Sequence, residues 1–300
     1  TWELKAGPLP ARAEICHVTV AGLRGGHSGC DIHLNRGSAV KLLVQALRGA
    51  NQKQLRLVSL SAGSKRNVIP RESAAVVVGP RGTATRLRSS AEQVEAEATR
   101  AFGETGCALH VAQWTGADAA GAAAPRDTER VLAALTGLPH GVLAVVPEIA
   151  GLVQTSNSVS TIESQRENGV LRVTVGCLSR SSSMVQLQLA AQQIAAIGRL
   201  ADAGVEHGNA YPGWQPNVDS PLLATCQRIY TSLFSAGPRV TAIHAGLECG
   251  IIGERMGDMD MISFGPHITG AHSPDERVYV ESVRKIWAFL KAVLAELAKA

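Results

Sequence analysis

The sequence predicts a mixed α/β (α+β) protein: a ferredoxin-like unit followed by a shorter α/β segment. Two observations carry this. Between residues 14 and 113 the apolar pattern alternates between period two and period 3.6, in the order β-α-β-β-α-β. Beyond a break at Tyr211-Pro212-Gly213-Trp214, helix-like and strand-like stretches alternate again. The 300 residues suffice for two domains. With 45% hydrophobic but only 4% aromatic residues, their cores must be built from Val, Leu, Ile and Ala.

The elements follow in order. Glu14 to Ala21 alternates and is β-branched, so it reads as a strand. A Gly-rich turn spans Gly22 to Gly29, and Ser38 can cap a helix whose apolar positions include Val40, Leu43, Val44 and Leu47. Strands are predicted at Leu55 to Leu60 and at Ser73 to Val78, a helix at Ala91 to Phe102 and a strand at Ala108 to Gln113. The Gly- and Ala-rich stretch Thr115 to Pro125 reads as a loop, and Thr128 to Leu135 as a helix. Strands near Ser158 to Glu163 and Val170 to Cys177 flank Glu167-Asn168-Gly169, a hairpin signal. Met184 to Ala201 is a long apolar-periodic helix, and Val205 to Gly208 a candidate edge strand. After a boundary near Asn209 come a helix (Pro221 to Phe234), a strand (Val240 to His244), a short helix, a strand (Met259 to Phe264) and a final helix (Glu281 to Ala298). Two strands are too few for an independent parallel sheet, so this last sheet is expected to be completed from outside the chain.

Composition excludes several classes. The net charge is +4, and the Arg residues between Arg81 and Arg88 read as a solvated loop, so no nucleic acid is expected as a partner. No apolar run approaches the ~18 residues that span a bilayer, and no basic start precedes an apolar stretch. Cys16, Cys30, Cys107, Cys177, Cys226 and Cys249 are dispersed, which suits reduced thiols in a cytoplasm. The chain starts at Thr1, as a processed protein or an internal piece of a longer product would.

Five clusters hold chemistry-bearing residues. Gly25-Gly26-His27-Ser28-Gly29-Cys30-Asp31-Ile32-His33 places His27 at a loop tip, where an imidazole can donate to an oxyanion; a surface turn is the plainer reading. Asp31 and His33 lack a third ligand nearby, so His33 and Arg36 read as structural. Asn67, just before an extended step into Pro70, can hold a carboxylate or close a turn. Arg180 stands where a strand gives way to a helix with Ser caps, and can clamp a carboxylate or lie on the surface. His244 and Glu248 flank a Gly-containing loop directly after a predicted strand, where such sheets place their sites. His272 precedes the last helix and is a candidate metal ligand, although zinc needs three or four.

Taken together and in this order, these runs resemble the aminoacyl-histidine dipeptidases (peptidase D) of the M20 metallopeptidase family. The resemblance rests on Gly22 to Arg36, Arg66 to Glu72, Tyr211 to Trp214, His244 to Gly250 and Gly270 to Val278. It implies a ferredoxin-like lid and dimerisation domain at residues 11–208, after a linker remnant at 1–10. Residues 209–300 would be the C-terminal segment of a zinc-peptidase α/β catalytic domain. It further implies a two-zinc dipeptidase in the complete form, acting on aminoacyl-histidine and related short peptides as a cytoplasmic homodimer. By motif, His272 matches the last metal ligand and His27 the lid histidine that steadies the tetrahedral intermediate. Asn67 and Arg180 match positions that hold the substrate's C-terminal end, and the loop of His244 and Glu248 matches the pocket wall. The family's other ligands, bridging aspartate and general-base glutamate precede the lid, and no such pattern stands before Glu14. The chain therefore reads as the C-terminal portion of such an enzyme. The alternatives are a catalytically silent lid that dimerises or binds peptides, and an N-acyl amino acid deacylase of the same family.

Overall fold

The structure is a computed structural model, and describes residues 1–51, 53–114, 121–146, 151–208, 213–214, 217, 219–241, 248–257, 259–269 and 276–299. The chain divides into two compact units, the first Thr1–Ala210 and the second formed by the described residues that follow.

The first unit is a mixed α/β structure built on one sheet. Its strands are β1 (Trp2–Lys5), β2 (Glu14–Ala21), β4 (Arg56–Ala62), β6 (Ser73–Gly79), β7 (Ala108–Gln113), β8 (Gly141–Val145), β9 (Val153–Glu167) and β10 (Val170–Ser181). A separate two-stranded ribbon joins β3 (Gly26–His27) to β5 (Val68–Ile69). The helices are α1 (Ala39–Gly49), α2 (Thr83–Phe102), α3 (Pro125–Gly137) and α4 (Met184–Leu200). Strands β4, β6, β2 and β7 lie side by side in that order, all antiparallel. With α1 and α2 as crossovers this is the ferredoxin-like arrangement expected from the sequence. The sheet then extends past β4 through β9 and β10 to β1, while β8 pairs with the start of β9.

The pattern of burial explains the elements. In β2, Cys16, Val18 and Val20 point inward at every second residue. Helix α1 buries Val40, Leu43, Val44 and Leu47 against the same core, the stripe read from the sequence. The β9–β10 hairpin turns on Asn168 and Gly169, both at positive φ, as a two-residue turn of this hand requires. Ser183 caps α4 by accepting the Gln186 N–H.

Several expectations are corrected. Residues 1–10 are not a linker remnant throughout, since Trp2–Lys5 pairs with β10 and buries Trp2 and Leu4. The indole N–H of Trp2 donates to Ala201 O at 2.9 Å, so a short alternating segment gains a partner 199 residues away. Val205 to Gly208 forms no strand; Val205 instead packs against Gly198 of α4. Strand β8 went unread because five residues after a Pro-His step carry too weak an alternation. Helix α2 begins eight residues before the predicted Ala91, at Thr83, because Glu14 accepts the N–H groups of Gly82 and Ala84 at its start.

The second unit contains α5 (Pro221–Phe234), α6 (Glu248–Met256), the ribbon β11 (Ile268–Thr269) with β12 (Arg277–Val278), and α7 (Val280–Leu297). Helices α5 and α7 share a small core of Cys226, Ile229, Phe289 and Val293. The predicted strand Met259 to Phe264 is unpaired, because no neighbouring strand among the described residues offers it a ladder. Of the predicted strand Val240 to His244, residues 240 and 241 are not in a strand and the rest lie outside the described residues.

Candidate active site

His27 is held by its own loop. Gly25 and Gly26 take positive φ, which lets the chain turn sharply into β3. A Cβ on Gly26 would strike the Arg36 guanidinium and the Asp31 carboxylate, so the close approach needs glycine. Asp31 Oδ2 accepts the His27 N–H at 2.9 Å, and Arg36 Nη1 reaches both Asp31 (3.5 Å) and Gly25 O (2.5 Å). His33 and Arg36 thus sit in and after a short 3-10 turn, Ile32–Leu34, with Arg36 in a structural role. His27 Nδ1 accepts two backbone N–H groups, from Gly29 at 3.2 Å and Cys30 at 3.0 Å. A neutral imidazole whose Nδ1 accepts carries its proton on Nε2. The loop therefore presents His27 as a hydrogen-bond donor.

Both ends of this loop are pinned by one carboxylate. Glu104, 1% exposed, accepts the N–H of Arg24 on Oε2 and of Gly37 on Oε1, each at 3.1 Å. Sequence reading passed over Glu104, which stands in a turn with nothing to distinguish it from a surface acid.

Asn67 and Arg180 are brought to the same place from elsewhere. The Ser28 N–H donates to Asn67 O at 2.9 Å, which ties the His27 loop to the Asn67 turn. That turn is seated on β9, whose Ser158 and Ser160 hydroxyls both donate to Val68 O. Arg180 lies on β10, opposite Ser156 of β9. Its Nε and the His27 ring both border Gly29: a Cβ built there would lie 3.3 Å from Arg180 Nε and 3.2 Å from His27 Cε1. Three residues separated by 40 and 113 positions along the chain therefore converge. Arg180 Nε is buried and has no hydrogen-bond partner among the described residues, as is the case for the Ser28 hydroxyl. A buried donor left unpaired costs ~1–3 kcal/mol, so this is a place that favours an acceptor from outside the chain.

A second polar group, which the sequence did not reveal, is formed by Lys41, His140 and Asn157. Lys41 Nζ donates to Leu135 O, Thr136 O and Leu138 O at the end of α3. Burial lowers its pKa to about 8. His140 Nδ1 accepts the Val159 N–H at 3.1 Å, and burial, with the nearby Lys41 charge, lowers its pKa to about 4. Asn157 accepts from Ser179 and donates to Pro139 O.

Of the other sequence candidates, Glu248 is the first residue of α6, exposed, in the second unit. His244 and His272 lie outside the described residues. Among the described residues no three or more His, Cys, Asp or Glu side chains gather so as to hold a metal ion. The donor set that a zinc pair needs is therefore not supplied by the described part of this chain, and no chemical step is derived through it. All six cysteines are free. Among the described residues no helix is long and apolar enough to cross a membrane.

A sheet of ferredoxin-like order, carrying an imidazole donor and a guanidinium at one loop, defines a class. Residues 18–104 match the peptidase dimerisation domain of the M20 type. Over 96% of its length the chain is 37% identical to the cytosol non-specific dipeptidase of Escherichia coli (strain K12), and it covers 59% of that protein. The crystal structure of aminoacylhistidine dipeptidase from Vibrio alginolyticus matches 98% of the chain with a TM-score of 0.85 and 35% identity, and 60% of that chain is covered. By these likenesses residues 18–104 are similar to an M20 peptidase dimerisation domain, and the chain as a whole is similar to these two dipeptidases. It spans about three fifths of the length of the relatives it matches.

Proposed function

We propose that the protein, at the full length of its relatives, is a zinc-dependent dipeptidase that hydrolyses aminoacyl-histidine and related short peptides. The observation that carries this reading is the convergence of His27, Asn67 and Arg180 around Gly29. In this reading residues 11–208 are the lid and dimerisation domain, and 209–300 belong to the catalytic domain. The exposed apolar side chains Val280, Trp287 and Leu294 of α7 support the second assignment, since an isolated helix pair leaves uncovered what a larger α/β domain would bury.

The His27 Nε2–H donates to the oxyanion that forms as the scissile carbonyl is attacked. Arg180 grips the substrate's free carboxylate, its buried Nε–H gaining the acceptor it lacks, and the Asn67 amide shares that hold. His244 and Glu248 line the pocket. His272 is one zinc ligand, and zinc, when bound, supplies the activated water. The similarity to a cytosol dipeptidase and the matched dimerisation domain support a cytoplasmic homodimer.

The test is an assay of the 300-residue chain and of a protein spanning the relatives' full length, with metal content measured in both. Xaa-His dipeptides are run against N-acyl amino acids. Zinc binding with turnover of dipeptides by the longer protein, reduced about 10²–10³-fold in kcat by His27→Ala with unchanged melting, is the expected result. Preference for N-acyl amino acids would replace the reading by a deacylase. Absence of turnover from the longer protein would leave a silent lid.

A further inference from the structure

We infer that Gly29 is a positioning residue, whose missing side chain is the gap in which the His27 imidazole and the Arg180 guanidinium are set side by side. The inference rests on the reading of His27 and Arg180 given above, and concerns what holds them in place.

Gly29 differs from the other glycines of its loop. Gly25 and Gly26 have positive φ, so their backbone alone demands glycine, whereas Gly29 does not. An alanine at position 29 is allowed by the backbone, and only its surroundings oppose it. The three nearest atoms there are His27 Cε1 at 3.2 Å, His27 Nδ1 at 3.3 Å and Arg180 Nε at 3.3 Å from the place a Cβ would take. All three belong to the two groups proposed to meet substrate. A methyl group there cannot be seated unless one of them gives way by a few tenths of an ångström. The imidazole is held at Nδ1 by the Cys30 N–H, and Gly29 itself donates the second hydrogen bond to the same atom. A shift of the ring therefore also strains the bonds that keep its proton on Nε2. Arg180 is anchored within a strand paired to β9 and its Nε is buried, so the guanidinium cannot swing freely into solvent.

Gly29 thus performs two tasks. Its N–H orients His27, and its bare Cα leaves room for the ring and the Arg180 Nε together. A small residue such as alanine or serine keeps the first and loses the second. This is an effect on placement alone, because no charge and no hydrogen-bonding group is removed.

The experiment compares Gly29→Ala with wild type, using Gly208→Ala as the control, since a Cβ on Gly208 meets nothing within 4 Å. Two readouts are taken on folded protein: the ring-nitrogen chemical shifts of His27 by NMR in the 300-residue chain, and kcat and KM for an Xaa-His dipeptide in the protein of full relatives' length. Gly29→Ala is expected to shift the His27 ring nitrogens and to lower kcat/KM about tenfold, as a displacement below 1 Å can, with melting unchanged. Gly208→Ala is expected to leave both at wild-type values. Unchanged His27 resonances and unchanged turnover in folded Gly29→Ala would overturn the inference. A full-length wild type without turnover would defeat the functional reading, while the ring shifts would still decide the role of Gly29. Should Gly29→Ala fail to fold, the triple variant His27→Ala/Gly29→Ala/Arg180→Ala decides, measured against His27→Ala/Arg180→Ala. Recovered folding supports the contact, and persistent unfolding overturns it.

Discussion

A histidine's role is set by what its two nitrogens meet. His27 and His140 both accept a backbone N–H on Nδ1, yet one borders the Arg180 Nε across Gly29 and the other is tied to Val159 of β9. For His140 a pH dependence follows. Its folded pKa is depressed to about 4 from an ordinary value near 6.5. Between these values the unfolded chain binds a proton that the folded protein refuses, so stability is full above pH 6.5 and falls as pH drops toward 4. The loss is about 3 kcal/mol at most. Urea denaturation at pH 7 and pH 4.5 should show it, and His140→Gln, whose amide oxygen can still accept from Val159, should remove most of the difference. A His140→Gln variant with the same pH slope as wild type would contradict this assignment. None of it was legible in the sequence, where His140 follows a proline with no pattern around it. The role of His27 was half legible: the glycines around it signalled a loop tip, but the tautomer needed the positions of two N–H groups.

At the scale of elements, the loop of residues 25–36 depends on a side chain from beyond α2. Glu104 joins the N–H of Arg24 to that of Gly37, so one carboxylate closes the loop at its base. Replacing it by alanine leaves one buried and one part-buried N–H group without partners, and should cost about 1–3 kcal/mol. Chemical denaturation measures the cost, and hydrogen exchange at residues 24–37 should rise more than in β6; uniform protection across the unit would show that the clamp is not local. Secondary structure was well legible here. Strand β7 runs over the residues predicted, and α4, α5 and α7 match within one or two, because their apolar periodicity is strong and Ser caps mark the starts of α4 and α5. Strand β8 and the early start of α2 were not, since pairing to β9 and capping by Glu14 are contacts distant in sequence.

At the scale of the molecule, the first unit has a main core running from Trp2 to Ala201, beside two smaller apolar clusters. Its first strand closes the sheet from the far end of the chain, with Trp2 4% exposed and bonded to Ala201 O. Trp2→Ala should therefore destabilise the whole unit by about 3–5 kcal/mol, although the residue is second in the sequence. A melting curve compared with wild type tests this, and a loss below 1 kcal/mol would mean that β1 is dispensable.

By itself the sequence determined the mixed α/β class, the ferredoxin-like order of strands and helices, and the resemblance to a dipeptidase family. Those depend on local periodicity and on short runs of residues, which a linear reading preserves. Only the tertiary structure decided that His27, Asn67 and Arg180 meet around Gly29, that Glu104 clamps the loop between them, and that β1 completes the sheet. Each of these joins residues tens to hundreds of positions apart, and a contact of that kind leaves no periodicity in the chain for the eye to find.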